Sequence, residues 1–168
     1  MSDTIVPATT ASTRPSNPLP LVMPLPQAPV DSLDAFARRV ATELESPVAL
    51  VSLVDAEGQF FPGAVGLPEP MATERWTPLS HSFCQHVVTS QAPLVVGNAH
   101  DDPLVRHNGA VQDLGVIAYA GAPVVLDGMV VGAVCAIDHR PRTWSAEQVA
   151  RLGELARECS LALGQLAS

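Results

Sequence analysis

Two apolar runs joined by an Asp-Gly dipeptide constrain the fold of this chain more than any other feature. Val116–Leu126 and Met129–Ile137 are rich in β-branched residues, and Asp127 and Gly128 lie between them. Asp and Gly adopt the positive φ angles of a two-residue turn, so the segment predicts an antiparallel hairpin. A sheet built on it must cover its apolar faces with other elements.

The remaining elements occur in an order typical of an α+β domain. Apolar spacing predicts a first helix from Asp31, taken as its cap, to about Glu45, and a last helix from Ser145 to about Leu166. Between them we expect strands at 48–54, 59–65 and 93–97, a loop at 66–78, a short helix from Ser80 or His81 to Thr89, and a helical or irregular segment starting at Asp101-Asp102-Pro103. Strands and helices do not alternate regularly, so a mainly antiparallel sheet with helices on its faces is predicted.

The last helix has a clear start and an apolar stripe. Ser145 and Gln148 have the spacing of a capping box. The stripe consists of Val149, Leu152, Ala156, Cys159, Leu163 and Leu166. It packs on the domain's own sheet or also contributes to a dimer, because Leu155 and Ala162 add a second apolar edge.

The N-terminal segment differs from the rest in composition. Residues 1–30 contain seven of the 16 prolines, together with many Ser and Thr. Proline removes backbone donors, so we expect a disordered or polyproline-like tail at 1–30 and one domain at 31–168.

Charge and cysteine usage narrow the function classes. Asp and Glu number 17 against nine Arg and no Lys, a net charge of −8, so the basic face that nucleic-acid binding needs is not visible. No apolar run reaches the roughly 18 residues of a membrane span, and the start lacks a secretory pattern, so a cytoplasmic protein is expected. Cys84, Cys135 and Cys159 are too widely spaced for a disulfide framework or a zinc knuckle, and we expect free thiols.

Two groups of motifs carry a family resemblance. The first group is His81-Ser-Phe-Cys-Gln-His86, Ala92–Val96 and Asp101-Asp-Pro103; the second is Tyr119–Val124, Asp127-Gly128, Val131–Asp138 and Arg140-Pro-Arg142. In this order and spacing, the chain resembles bacterial GAF domains over about residues 31–168.

The resemblance implies a fold, a pocket and a partner surface. The fold is an antiparallel sheet of about five or six strands, with the first and last helices (32–45 and 146–166) on one face, where they commonly form a homodimer. A small-molecule pocket lies on the other face, here between the sheet and residues 79–119. Such domains regulate kinases, phosphatases or cyclases; because no effector domain follows here, output through a dimer or a signalling partner is expected.

The pocket residues expected from this resemblance are His81, Phe83, Cys84, His86, His107 and Tyr119, with Arg106 to pair with an anionic ligand. No catalytic residue, metal ligand or particular cofactor is assigned. The leading interpretation is a regulatory domain that senses a small molecule or redox state.

Two other function classes stay open. The free methionine-(R)-sulfoxide reductases are GAF proteins, and Cys84 could act as their nucleophilic thiol. Their further cysteine lies in a loop that corresponds here to 100–115, which has none, and neither Cys135 nor Cys159 is expected to reach Cys84. A ligand-free dimerisation scaffold is the other alternative.

Cofactor binding has weaker support. His81, His86, His100 and His107 fall in the expected pocket wall, so haem or a metal ion is a further alternative, although the spacing fits no particular site. Covalent bilin attachment needs a Cys near His107, and the nucleotide-binding signature of phosphodiesterase GAF domains needs a Lys; both are missing.

Overall fold

A six-stranded antiparallel sheet organises the part of the chain that the computed structural model describes, residues 25–167. The strands are β1 (Val48–Val54), β2 (Gly58–Val65), β3 (Trp76–Pro78), β4 (Leu94–Val96), β5 (Ala118–Leu126) and β6 (Met129–Asp138). Their spatial order is β3-β2-β1-β6-β5-β4, with every neighbouring pair antiparallel. The predicted α+β architecture is confirmed.

Within residues 25–167, five α-helices accompany the sheet: α1 (Asp31–Leu44), α2 (Met71–Glu74), α3 (Cys84–Ser90), α4 (Gly109–Leu114) and α5 (Ala146–Ala167). Single 3₁₀ turns lie at Leu79–His81 and Ala99–Asp101. The prediction of a loop at 66–78 was wrong, because this segment contains α2 and β3. Strand β3 exists through its pairing with β2, which local sequence does not encode.

The turn between β5 and β6 has the predicted geometry. Asp127 has a φ of 52° and Gly128 a φ of 76°. Both values lie in the left-handed region that a type I′ turn requires. The hairpin that follows pairs Leu126 with Met129 and runs back to Ala118 opposite Asp138.

The two faces of the sheet bury separate apolar cores. Helices α1 and α5 cover one face, and their core includes Val134 and Ala136 of β6. Helices α3 and α4 cover the other face, whose core includes Ala133, Cys135 and Ile137 of the same strand. Alternate residues of β6 therefore serve opposite cores, as the period of a strand requires.

The N-terminal cap predicted from the sequence is present on α5 but not on α1. The Ser145–Gln148 capping box is confirmed: Gln148 N–H donates to Ser145 Oγ over 3.0 Å, and Ser145 N–H donates to Gln148 Oε1 over 2.9 Å. The cap expected at Asp31 was wrong, since Val30 occupies that position and makes no side-chain cap bond. The first-turn residue Asp34 instead accepts the Ala64 N–H and pairs with Arg75 at 3.0 Å.

The helix expected to begin at Asp101–Pro103 begins later. Asp102 accepts the Leu104 N–H over 2.9 Å within a turn, which uses its side chain locally. Helix α4 begins at Gly109, where Asn108 Oδ1 accepts the Ala110 N–H over 2.9 Å. The side chain of Asn108 therefore supplies the cap.

The stripe on α5 packs mostly inside the domain. Leu152, Ala156, Cys159 and Leu163 are all buried against the α1–α5 face of the sheet. Leu155, expected on a second edge, is also buried there, so it presents no free surface. Leu166, at 48%, and Leu161, at 71%, are the exposed leucines of α5 among the described side chains.

The start of the described chain joins the domain. Leu25 and Val30 pack against the α1–α5 core, and the Val30 N–H donates to the Pro62 carbonyl oxygen over 2.9 Å. The expected tail otherwise falls on residues 1–24, which lie outside the described residues. Within residues 25–167 no helix has the length and apolarity needed to cross a membrane.

Candidate functional site

A cavity opens between the sheet and the elements α2, α3 and α4. Its wall consists of Val48, Leu50, Gln59, Phe61, Leu67, Pro68, Met71, His81, Phe83, Cys84, Ala110, Leu114, Val116, Tyr119, Cys135, Ile137 and His139. The volume of the cavity that the centre of a water molecule can occupy is about 40 Å³. One water needs about 10–15 Å³ on this measure, so the cavity has room for a small ligand or several waters.

The wall is mainly apolar, and all the hydrogen-bonding positions of its one side-chain amide, Gln59, are occupied. Gln59 Oε1 accepts from the hydroxyls of Ser82, over 2.8 Å, and Ser52, over 3.1 Å. Its Nε2 donates to Thr77 Oγ1 over 2.9 Å and to the His81 carbonyl over 3.3 Å. Gln59 therefore joins β1, β2, β3 and the turn before α3, and holds the floor of the cavity in place.

A cluster of two thiols and a phenol forms one side of the cavity. The Tyr119 hydroxyl donates to Cys84 Sγ over 3.0 Å, and the Sγ atoms of Cys84 and Cys135 are 3.9 Å apart. All three side chains are buried. The Tyr119 ring lies over Gly121, where a Cβ atom would be 2.3 Å from the phenol oxygen. The absence of a side chain at this glycine therefore leaves room for the ring to extend to Cys84.

The surroundings of the cluster lower the pKa of one of its three groups and raise the pKa of the other two. The Cys135 thiol, able to donate to a Cys84 thiolate, lowers the pKa of Cys84; burial opposes this, and the hydroxyls of Tyr119 and Ser52 lower it further. Burial first, and then Cys84, raise the pKa of Cys135. Burial also raises the pKa of Tyr119 well above its ordinary value. Cys84 is therefore the member of the cluster best able to carry a negative charge.

The expectation that neither other cysteine reaches Cys84 was wrong for Cys135. Strand β6 turns Cys135 toward the face covered by α3, and Cys84 is the first residue of that helix. Cys159 lies in the opposite core, where burial raises its pKa to about 12. Only one of the two remaining thiols therefore faces Cys84.

His81 connects two of the elements that close the cavity. Its Nε2 lies 2.7 Å from Asp113 Oδ2 on α4, and its Nδ1 lies 2.8 Å from Ser80 Oγ. Gly109 gives the ring room, since a Cβ atom there would lie 2.6 Å from it. The pairing holds α4 against the turn that precedes α3.

The structure brings together four of the seven predicted pocket residues. His81, Phe83, Cys84 and Tyr119 are in the wall, and the rings of Phe83 and Tyr119 are in contact, with centroids 5.2 Å apart and planes tilted by 46°. The other three, His86, Arg106 and His107, are not in it: His86 is half-buried on α3, whereas Arg106 and His107 are exposed in the turn before α4. That turn instead buries Val105.

Several wall residues lie outside the expected range of 79–119. Gln59 and Phe61 share one face of β2, and their alternate spacing is a signal that could have placed both beside a pocket. Leu67, Met71 and His139 had no such signal, because they come from the segment read as a loop and from the residue after β6. Among the described residues, no group of three or more His, Cys, Asp or Glu side chains is arranged to hold a metal ion.

Comparison with known proteins agrees with this fold. The family model of the GAF domain matches residues 29–163. A cyclic di-GMP phosphodiesterase of Pseudomonas aeruginosa is 36% identical over 116 residues, which make up 67% of this chain and 19% of that protein. The chain thus matches only a small part of that relative's length.

Solved structures of low sequence identity share the architecture. The GAF domain of an Acinetobacter phosphoenolpyruvate-protein phosphotransferase has a TM-score of 0.66 and 19% identity, over 80% of this chain and 81% of that one. A type II free methionine-R-sulfoxide reductase from Thermoplasma acidophilum has a TM-score of 0.65 and 12% identity, over 80% and 92%. The family match and the shared fold together show that this chain belongs to the GAF domain family.

Proposed function

We propose that this chain is a regulatory domain of bacterial signal transduction that responds to a small molecule bound in the cavity. The observation that carries the proposal is the cavity itself, which has a mainly apolar wall and a few polar atoms from His81, Tyr119 and the thiols. Ligand sites are typically concave and apolar with a small number of placed polar groups. All three cysteines are free, which suits the reducing cytoplasm as its compartment.

The Pseudomonas relative supports a signalling context but not an activity. Its name states an action on cyclic di-GMP, and the match covers 19% of its length. The GAF model matches residues 29–163 of this chain, so we propose a regulatory role and no cyclic di-GMP hydrolysis. Output then passes through a partner protein or through a dimer.

Native mass spectrometry tests the ligand proposal. The purified full chain is compared in its native and denatured states, and a mass surplus that disappears on denaturation is expected. Ala110→Trp fills the cavity and should abolish the surplus, whereas Ala150→Trp, at an exposed site on α5, should retain it. A native mass equal to the denatured mass, together with no thermal shift from a panel of small metabolites, would count against a ligand.

A homodimer through α1 and α5 is proposed for the opposite face. The buried leucines of α5 stabilise the domain itself, so the exposed Leu161 and Leu166 are the side chains that can meet a partner. Leu161→Glu is expected to convert a dimer into a monomer in sedimentation velocity. Leu104→Glu, at an exposed leucine before α4, is the control and should leave the dimer intact. A Leu161→Glu dimer as tight as the wild type would exclude this surface.

Reduction of free methionine sulfoxide is a second candidate, favoured by the 3.9 Å between the sulfurs of Cys84 and Cys135. The reaction consumes two thiols and yields methionine, a disulfide and water. Turnover of free methionine-R-sulfoxide with a thiol reductant, lost in Cys84→Ser and kept in Cys159→Ser, would establish it. No turnover at high protein concentration would leave the sensor role alone.

A further inference from the structure

Two thiols that are distant in sequence face each other in the cavity. The Sγ atoms of Cys84, on α3, and Cys135, on β6, are 3.9 Å apart, and both side chains are buried. A disulfide has an S–S distance of about 2.05 Å, so bond formation brings the sulfurs about 1.9 Å closer. A movement of this size is within the range of side-chain rotation, without a change in strand pairing.

We propose that Cys84 and Cys135 form a reversible oxidation site, at which a small hydroperoxide converts the two thiols into an intramolecular disulfide. The proposal requires neither a bound cavity ligand nor sulfoxide turnover, since the oxidant reacts with the thiols themselves. It assigns the pair a chemistry that the third cysteine cannot share, because Cys159 lies in the core on the other face of the sheet.

Cys84 is the thiol that reacts first. The hydroxyl of Tyr119 donates to its sulfur over 3.0 Å, and this bond strengthens when the sulfur is a thiolate. The pKa of Cys84 is lowered by Cys135, Tyr119 and Ser52 against the effect of burial, whereas burial raises the pKa of Cys135. Because the thiolate is the nucleophile, Cys84 attacks the oxidant and Cys135 completes the bond.

The chemistry balances in two steps. The Cys84 thiolate attacks one peroxide oxygen; the O–O bond breaks, Cys84 becomes a sulfenic acid, and the alkoxide leaves with the proton that the thiol lost as an alcohol. The Cys135 sulfur then attacks the Cys84 sulfur; the S–S bond forms, the S–O bond breaks, and hydroxide leaves with the Cys135 proton as water. Two thiols are oxidised, and one hydroperoxide is reduced to an alcohol and water.

The cavity provides the route for the oxidant. Both sulfurs belong to its wall, which also includes the exposed residues Pro68 and His139, so the cavity reaches the protein surface. Its free space exceeds the volume that one water needs, and hydrogen peroxide is only about twice the size of water. Most of the other wall side chains are hydrocarbons that peroxide does not oxidise, and Met71 is the exception.

The test uses the full chain, reduced and freed of reductant, treated with hydrogen peroxide, then denatured and labelled with N-ethylmaleimide. The reduced protein has three free cysteines and takes up three labels. After peroxide we expect one label, on Cys159, and a Cys84–Cys135 cross-linked peptide in a non-reduced digest. Dithiothreitol should restore all three labels.

Substitutions distinguish the Cys84–Cys135 disulfide from other oxidation products. Cys159→Ala should still form the disulfide, whereas Cys135→Ala should form none and should leave a sulfenic acid on Cys84 that dimedone traps. Tyr119→Phe, which retains the ring, should slow the oxidation about tenfold, because it removes one hydrogen bond to the thiolate. The Tyr119→Phe rate and the wild-type peptide map keep the proposal testable if Cys135→Ala does not fold.

Three labels after peroxide treatment, or a disulfide that includes Cys159 or a second chain, would overturn the proposal. The readout needs no cavity ligand. A protein without a native mass surplus can therefore still form the disulfide, and a protein with the surplus can fail to form it, so the two proposals stand or fall separately.

Discussion

The indole N–H of Trp144 donates a hydrogen bond to the carbonyl oxygen of Val96, with 3.1 Å between nitrogen and oxygen. Val96 ends the edge strand β4, and Trp144 lies in the segment that leads from β6 into α5. The guanidinium of Arg142 stacks on the indole at 3.9 Å from the ring centroid and donates to the carbonyls of Leu44 and Glu45 at the end of α1. Two side chains thus join the sheet edge to both helices of one face.

Trp144→Phe is expected to lower the free energy of unfolding by about 1–2 kcal/mol, because it removes this hydrogen bond and weakens the stacking of Arg142. Urea denaturation followed by circular dichroism measures the change. Trp76→Phe, on the edge strand β3, is the matched control and should cost less, since Trp76 is only half-buried. Equal losses in the two variants would contradict a special role for Trp144.

Substitution by alanine is expected to change the stability in opposite directions at two glycines. Gly128 has a φ of 76° and open space around it, so Gly128→Ala should cost about 1 kcal/mol of stability through backbone strain alone. Gly153 lies inside α5, where a Cβ atom would meet only Arg157 Nη1 at 4.0 Å, so Gly153→Ala should stabilise by about 0.5–1 kcal/mol. Thermal and urea denaturation of both variants give the signs, and a stabilising Gly128→Ala would refute the turn geometry.

The same features explain which parts of the fold could be predicted from the sequence. The Asp127-Gly128 turn and the Ser145–Gln148 box are local devices, because their hydrogen bonds and dihedral angles involve residues close in the chain. Strand β3 is three residues long and is defined by pairing with β2, so no local pattern marks it. The predicted start of α4 was wrong because Asp102 and Asn108 are both good caps, and the buried Val105 between them belongs to a turn that the local sequence does not distinguish from a first helical turn.

The pH dependence of alkylation should distinguish the thiols. Since the pKa of Cys84 is lowered and only a thiolate reacts, its labelling rate with iodoacetamide should reach half its maximum at a pH below the ordinary pKa of a cysteine thiol. Cys159, with its pKa raised to about 12, should remain unlabelled in the native protein. Peptide mass spectrometry at several pH values measures both rates.

Tyr119→Phe provides the control for this profile. Removing the hydroxyl that donates to Cys84 should move its midpoint to higher pH, while Cys159 should stay protected. A midpoint that does not move would show that the phenol has no part in the acidity of Cys84.

Stability should fall when the protein is acidified through the range in which His86 gains a proton. Burial lowers the pKa of His86 in the folded protein, and the charge of Asp102 offsets this only in part. Between the folded pKa and the unfolded value of about 6.5, the unfolded chain binds more protons, so the stability is complete above about 6.5 and is lost as pH falls through the folded pKa.

The measurement is the unfolding free energy between pH 7.5 and about pH 5, where the slope should be smaller in His86→Gln than in the wild type. His107→Gln makes the same chemical change at an exposed site and controls for it. If both variants change the slope alike, the burial of His86 is not its cause.

The site was harder to predict than the fold because its central contact, between Cys84 and Cys135, joins residues that are far apart in the sequence. The motif around Cys84 marked the pocket wall, but the sequence of β6 did not show which way Cys135 points. Residues 131–138 are all buried, so the strand lacks the alternation of polar and apolar residues that would reveal its faces. Arg106 and His107 were placed in the wall because they are near it in sequence, whereas the turn buries Val105 and directs both to solvent.

Strand β6 separates the two cores by the thickness of a single backbone. Cys135 faces the cavity, and its neighbours Val134 and Ala136 pack under α1 and α5. The strand lies between β1 and β5 and is paired along most of its length with both, so it cannot shift without carrying those partners. A ligand that displaced Cys135 would therefore also displace the surface on which both long helices rest, so the two halves of the domain share one sheet through which they are in contact.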